Sequence, residues 1–282
     1  MNEMLVAVFD TEDAAIKGMQ ALKGLHDEGG ISLYAWAIIT KELDGVISVK
    51  RQSAEALAGT ALGMLMGGIV GILGGPAGAA VGASIGSYVG LLADWVRSGI
   101  DLQFLDDAGK TLSLGKVALL AEIEQGWCPL LEPRLRQEGG AVFRRFRADV
   151  IEDQLLREEK TLQVALQTLI DNLDEADAAN RRDIDKSIAD VRGQLATLHD
   201  RIKGALDLKK AEADLKMKTL GAQAQTVAKK AKAQIEERIS KAQADYEMRS
   251  AKLNQARTLA REALGLQDDF EDPPSVTGFR LT

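Results

Sequence analysis

Residues 56–93 read ALAGTALGMLMGGIVGILGGPAGAAVGASIGSYVGLLA, 38 consecutive positions without a charged side chain. Glycines recur at every fourth position: Gly59, Gly63, Gly67, Gly71 and Gly75, then, after Pro76, Gly78, Gly82, Gly86 and Gly90. On an α-helix a four-residue step lines one face, and a glycine stripe lets a second backbone approach closely. Each interior glycine costs a helix about 1 kcal/mol relative to alanine. So regular a series of glycines therefore implies a compensating close packing. The Gly74-Gly75-Pro76-Ala77-Gly78 stretch supplies a turn, so the spacing predicts a glycine-zipper helical hairpin over 53–98. Each arm of about 19 residues is roughly 29 Å long, close to the thickness of a bilayer core. Lys50 and Arg51 precede the hairpin, Arg97 follows it, and Trp95 suits an interfacial anchor. Basic flanks favour the cytoplasmic side for both ends.

Working outward, Met4 to Phe9 is an apolar run of strand length. Asp10 is placed to cap a following helix, with Glu12 and Asp13 favourable in its first turn. Gly29-Gly30 ends that helix, and Ile31 to Thr40 reads as a strand. Asp44-Gly45 is a turn signal that pairs Val46 to Lys50 back as a hairpin. This β-α-β-β order is half of a ferredoxin-like sandwich. Beyond the glycine run, Leu102 to Thr111 reads as a helix and Lys116 to Glu124 as a strand. Pro129 to Gln137 then reads as a short helix, and Ala141 to Phe146 as a last strand. The expected domain thus covers 1–52 and 99–147.

From 148 to 265 the pattern predicts a long coiled-coil arm. Ile184, Ile188, Val191, Leu195, Leu198 and Ile202 alternate steps of four and three, a heptad seam. Leu162, Leu166, Leu169 and Leu173 form an earlier seam, offset by a stutter. Residues 147–204 hold 9 basic and 13 acidic side chains, and 205–262 hold 13 basic and 8 acidic. Opposite net signs suit two helices folded back on each other near Gly204, or pairing between chains. Residues 266–282 form an acidic, irregular tail carrying Pro273-Pro274.

Composition excludes several functions. A lone Cys128 forms no internal disulfide. Two histidines, His26 and His199, give no usual zinc cluster. A net charge of −7 argues against nucleic-acid binding. No acid, base and nucleophile constellation is legible, so no catalytic, cofactor-binding or metal-ligating residue is assigned. His26 reads as a helix C-terminal residue, His199 as an arm surface residue and Cys128 as packing. The Arg144-Arg145-Phe146-Arg147 cluster is of a kind that touches anionic lipid head groups or nucleic acid; strand alternation puts Arg145 and Arg147 on one face, which reads as solvated, or as touching anionic lipid if the hairpin inserts. The N-terminus lacks the basic region of a signal peptide, so it is expected in the cytoplasm.

The MLVAVFD start, the Asp44-Gly45 hairpin before VISVK, the glycine run and the strand KVALLAEIE together resemble an uncharacterised bacterial family of predicted membrane proteins. Its members look like a small ferredoxin-like domain with a glycine-rich hydrophobic hairpin inserted between strands. The resemblance covers about half the chain and leaves the helical arm outside. It implies membrane association and a stress or envelope role, with no known reaction and no functional residue to carry over.

The sequence therefore predicts an α+β protein: a small ferredoxin-like domain interrupted by a glycine-zipper hairpin, followed by a coiled-coil arm. The expected function is a non-enzymatic, self-associating membrane scaffold, with itself and the lipid bilayer as partners, no cofactor and no nucleic acid. Its expected location is the inner membrane with cytoplasmic domains. The alternative is a soluble, cytoplasmic shell or filament whose hairpins form an internal apolar layer. A pore ranks lower, because the run offers only Thr60, Ser84, Ser87 and Tyr88 as polar lining.

Overall fold

A computed structural model of the chain describes residues 2–54, 69–70, 73, 102–125, 128–146, 151–175, 177 and 180–265. The striped glycines, Trp95 and Arg97 lie outside the described residues, as do Arg147 and the tail. The described elements are β1 (Asn2–Phe9), α1 (Glu12–Asp27), β2 (Ile31–Lys41), β3 (Ile47–Gln52), α2 (Leu102–Thr111), β4 (Val117–Gln125), α3 (Leu131–Gln137), β5 (Ala141–Phe146), α4 (Ile151–Glu175), α5 (Arg181–Thr226) and α6 (Lys229–Leu264). The fold is α+β, with one antiparallel five-stranded sheet and a long C-terminal helical region.

Sheet order is β3-β2-β4-β1-β5. The strand that follows the uncharged run, β4, lies between β1 and β2 and is antiparallel to both. The β2–β3 hairpin closes through Glu42 N–H to the Val46 carbonyl, with Gly45 at φ +84°. That dihedral suits glycine. Thr11, rather than Asp10, caps α1: its hydroxyl accepts the Ala14 N–H, while Asp10 pairs with Lys116. A cap oxygen must reach N–H groups two or three residues on, and Thr11 stands at that distance.

The chain divides into two compact units: 1–149 with 211–243, and 150–210 with 244–282. In the first unit both sheet faces are covered. Leu5, Ala7 and Phe9 of β1 pack with Leu22 and Leu25 of α1 and with Leu131 and Leu135 of α3. Met4, Val6 and Val8 point the other way and pack with Leu105 of α2, Leu112 just beyond its end, Leu220 of α5 and Ile239 of α6. Ile69, Val70 and Leu73 are helical and buried in that second cluster. A strand covered on both sides reads as an unbroken apolar run, which is what MLVAVF is.

The second unit is built by α4 with parts of α5 and α6. Leu155, Leu198, Ile202, Leu253 and Ala256 form one buried layer, and Leu166, Ile188 and Leu195 another. Ile184 and Val191 are half-buried against the latter. The fully charged contact here is buried as well: Glu152 lies 3.3 Å from both Lys209 and Arg249.

The helical region differs from the expected hairpin. Gly204 lies inside α5, which continues to Thr226 before the chain turns at Val227 and Ala228. An earlier break separates α4 from α5, where the Asp177 carboxylate accepts the Asn180 N–H. One glycine costs a helix about 1 kcal/mol, less than the packing of residues on either side of Gly204 returns. Residues 211–243, read from sequence as part of the arm, pack in the sheet unit instead.

Candidate functional site

The polar groups of the sheet unit converge on the turn between α1 and β2. Gly29 has φ +80°, and a Cβ built there would fall 2.6 Å from the Ala231 Cβ. Glycine is thus required both by the dihedral and by the approach of α6. Two long side chains then bind the turn's backbone. The Gln223 amide donates to the carbonyls of His26 and Ile31 at 2.6 and 2.7 Å, and its oxygen accepts the Ser32 hydroxyl at 2.6 Å. Arg238 donates to the Ser32 oxygen at 2.9 Å and to the Gly30 carbonyl at 3.2 Å. Ser32, Gln223 and Arg238 are all buried.

A β-bulge between Leu33 and Ala35 shifts the β2–β4 register. A bulge takes a backbone group out of the ladder, and here the Leu33 N–H donates to His26 Nδ1 at 3.2 Å. Burial holds the His26 imidazole below its ordinary pKa, the Asp27 charge opposes that, and Arg238 and Lys23 reinforce it. A cavity of about 220 Å³ opens beside this ring, lined by Met19, Lys23, Leu33, Trp36 and Thr219 among others.

At the bulge itself stands Tyr34, whose hydroxyl donates to Glu124 at 2.5 Å. Burial, and then the charge of Glu124 and its hydrogen bond, raise the tyrosine well above its usual pKa; Glu122 adds to this and Arg238 opposes it. The phenol therefore stays protonated and acts as a donor. Lys216 sits 5.8 Å from the ring centroid and pairs with Glu212 at 2.5 Å, an arrangement that adds cation–π attraction. Glu122 accepts from Asn2 at 3.1 Å. The cluster is thus a hydrogen-bonded seat for α5 and α6 on the sheet. Among the described residues no group of three or more histidine, cysteine or acidic side chains is placed to hold a metal.

The residues expected from sequence fall elsewhere. Lys50 pairs with Glu42 at 2.7 Å and Arg51 approaches Glu12 at 3.8 Å, both on the β3 edge. Cys128 is half-buried, its sulfur 3.4 Å from where a Gly30 Cβ would stand. Arg144, the first residue of the basic cluster read from sequence, lies 3.5 Å from both Glu3 and Glu132. Gln223, Arg238, Ser32 and Tyr34 were not legible as a set. The available signal was polarity inside apolar strands: Ser32 and Tyr34 in ISLYAWAIIT, and Glu122 and Glu124 two apart in KVALLAEIE. Among the described residues no helix is long and apolar enough to cross a membrane.

Fold and cluster define an α+β protein whose sheet is roofed by its own C-terminal helices. Residues 56–167 are similar to a family of proteins of unknown function, DUF1269, an uncharacterised family. That stretch takes in the uncharged run, α2, β4, α3, β5 and the start of α4. No curated protein and no solved structure matches the chain.

Proposed function

We propose that the chain is a non-enzymatic, self-assembling scaffold associated with the inner membrane, its sheet unit and helical unit on the cytoplasmic side. The observation that carries this reading is the 38-residue uncharged run with its four-residue glycine period, inserted between β3 and α2. The strand order supports a ferredoxin-like description of the small domain: β1-α1-β2 and β4-α3-β5 interleave as two split β-α-β units, and β3 adds an edge strand. On a helix, positions 69, 70 and 73 share a side away from positions 67, 71 and 75. Ile69, Val70 and Leu73 are buried with core residues of the sheet domain, and in the proposed hairpin the opposite, glycine-bearing side is the one assigned to another helix. The heptad seam then supplies a second route to self-association.

The burial of those same three residues in protein also favours a second reading. In it, the hairpins cover one another inside a large soluble oligomer. Replacing Gly67 and Gly82 with Leu tests what both readings share. Each substitution puts a bulky side chain on the stripe, so the purified variants are expected to run as smaller particles in sizing. Unchanged particle size in both variants overturns the glycine-packed assembly.

A further inference from the structure

The α1–β2 turn is gripped from two sides. Gln223 and Arg238 bind its carbonyls, and the His26 ring accepts the bulge N–H of Leu33. Only a ring without a proton on Nδ1 can accept there, so the bond requires neutral His26. A second proton would stand on Nδ1 against the Leu33 N–H and leave that group without its acceptor. It would also set a cation among Lys23 on the same helix and Arg238 on α6.

We propose that His26 is a proton-operated latch, whose protonation breaks the bond to Leu33, distorts the turn that Gln223 and Arg238 hold, and loosens residues 211–243 from the sheet. The charges that act on it are Lys23 and Asp27 on α1 and Arg238 on α6; Tyr34 on β2 lines the same cavity, and around its ring stand Glu124 and Glu122 on β4 and Lys216 on α5, itself paired with Glu212. Asp27 favours the imidazolium; burial, Arg238 and Lys23 disfavour it. The lowered pKa of His26 agrees in sign with a folded state that excludes the extra proton. What the loosening uncovers is apolar: Met4, Val6, Ile39 and Leu120 lie beneath these helices in the same cluster. The latch does not depend on the membrane reading, since every group in it belongs to the sheet unit.

The test uses the full chain and hydrogen exchange of peptides within 211–243. Opening is expected to rise by about ten-fold between about pH 7.5 and about pH 5.5, after correction for intrinsic exchange. His26→Asn places an oxygen near the Nδ1 position and does not titrate there, so its opening is expected to be the same at both values. Titration of the His26 ring and the Leu33 amide by nuclear magnetic resonance gives a check without a variant. The histidine midpoint is expected below the usual ~6.5, and residues 211–243 are expected to shift with that midpoint. The proposal is overturned if His26→Asn loosens on acidification as the parent does. It is equally overturned if His26 titrates in the parent while 211–243 stays unchanged.

Discussion

Replacing Gln223 with Ala removes the most connected side chain of the roof over the sheet. Gln223 is 1 % exposed and makes three hydrogen bonds, to the His26 and Ile31 carbonyls and to the Ser32 hydroxyl. Each is worth about 1 kcal/mol net, whereas a buried group left with no partner costs about 1–3 kcal/mol. The lower figure applies to two of the three partners. The His26 carbonyl keeps the Gly29 N–H, and the Ser32 oxygen keeps Arg238. The expected polar loss is therefore about 3–5 kcal/mol, short of the ~3–9 kcal/mol that three orphaned groups would cost. Gln223→Met separates polarity from packing, because it fills similar volume without the bonds. Gln223→Met is expected to show the polar loss alone, and Gln223→Ala to lose more, because it also leaves a cavity at a buried site. Urea unfolding of the full chain gives the stability, and hydrogen exchange in 211–243 locates the change. An Ala variant within about 0.5 kcal/mol of the parent, the range of an inconsequential surface change, with unchanged exchange in 211–243, would refute the reasoning.

Two glycines on α1 are expected to respond with opposite signs. A Cβ on Gly18 would stand 2.5 Å from Phe9 Cζ, and the ring is hemmed on another side by Gly140. Overpacking of about 1–3 kcal/mol then outweighs the ~1 kcal/mol gain in helix propensity, so Gly18→Ala destabilises. Gly24→Ala meets nothing nearer than Arg134 Nη1 at 3.8 Å and is expected to stabilise by about 0.5–1 kcal/mol; urea midpoints that move the same way contradict this packing. In the helical unit, Leu195 is fully buried with Leu166 and Ile188. Leu195→Ala is expected to cost about 2–5 kcal/mol, and Ile188→Asp with Leu195→Asp to abolish much of the unit's helical circular dichroism; retained helicity would show the seam misplaced. Glu159 is fully buried, and neither of its oxygens has a hydrogen-bond partner among the described residues. Burial raises its pKa, Lys160 opposes that and Glu262 adds to it. A raised folded pKa means stability held at low pH and lost as pH rises through it. Glu159→Gln should flatten that slope and stabilise the unit at neutral pH by on the order of 1 kcal/mol; an unchanged slope removes Glu159 as its cause.

The parts of the fold legible in sequence are those with local signals. Asp44-Gly45 marks the β2–β3 turn because few residues take a positive φ cheaply. Gly29 marks the end of α1 for the same reason, and the period-3.5 seam marks a helical core without needing its partner. What the sequence hides is non-local. The unbroken MLVAVF run says that both faces of β1 are covered, but not by what. On one face much of the cover comes from residues about 210 positions later, where Met217, Leu220, Ala224 and Ile235 are spaced among Lys, Ala and Gln. Gly204 looked like a turn because glycine usually breaks helices, while the actual turn at Val227 and Ala228 carries neither Gly nor Pro. The polar seat was hidden because Gln223 and Arg238 read as ordinary exposed helix residues until a tertiary partner, the backbone of the α1–β2 turn, is present.

The uncharged run remains the feature on which the proposed function stands. Its most direct test is fractionation of expressing cells without detergent, with the pellet then extracted in detergent and both fractions sized. A scaffold anchored by its glycine hairpin is expected in the membrane pellet, released by detergent but not by high salt. A large particle in the detergent-free supernatant would contradict membrane anchoring and leave the hairpins covering one another inside a soluble assembly.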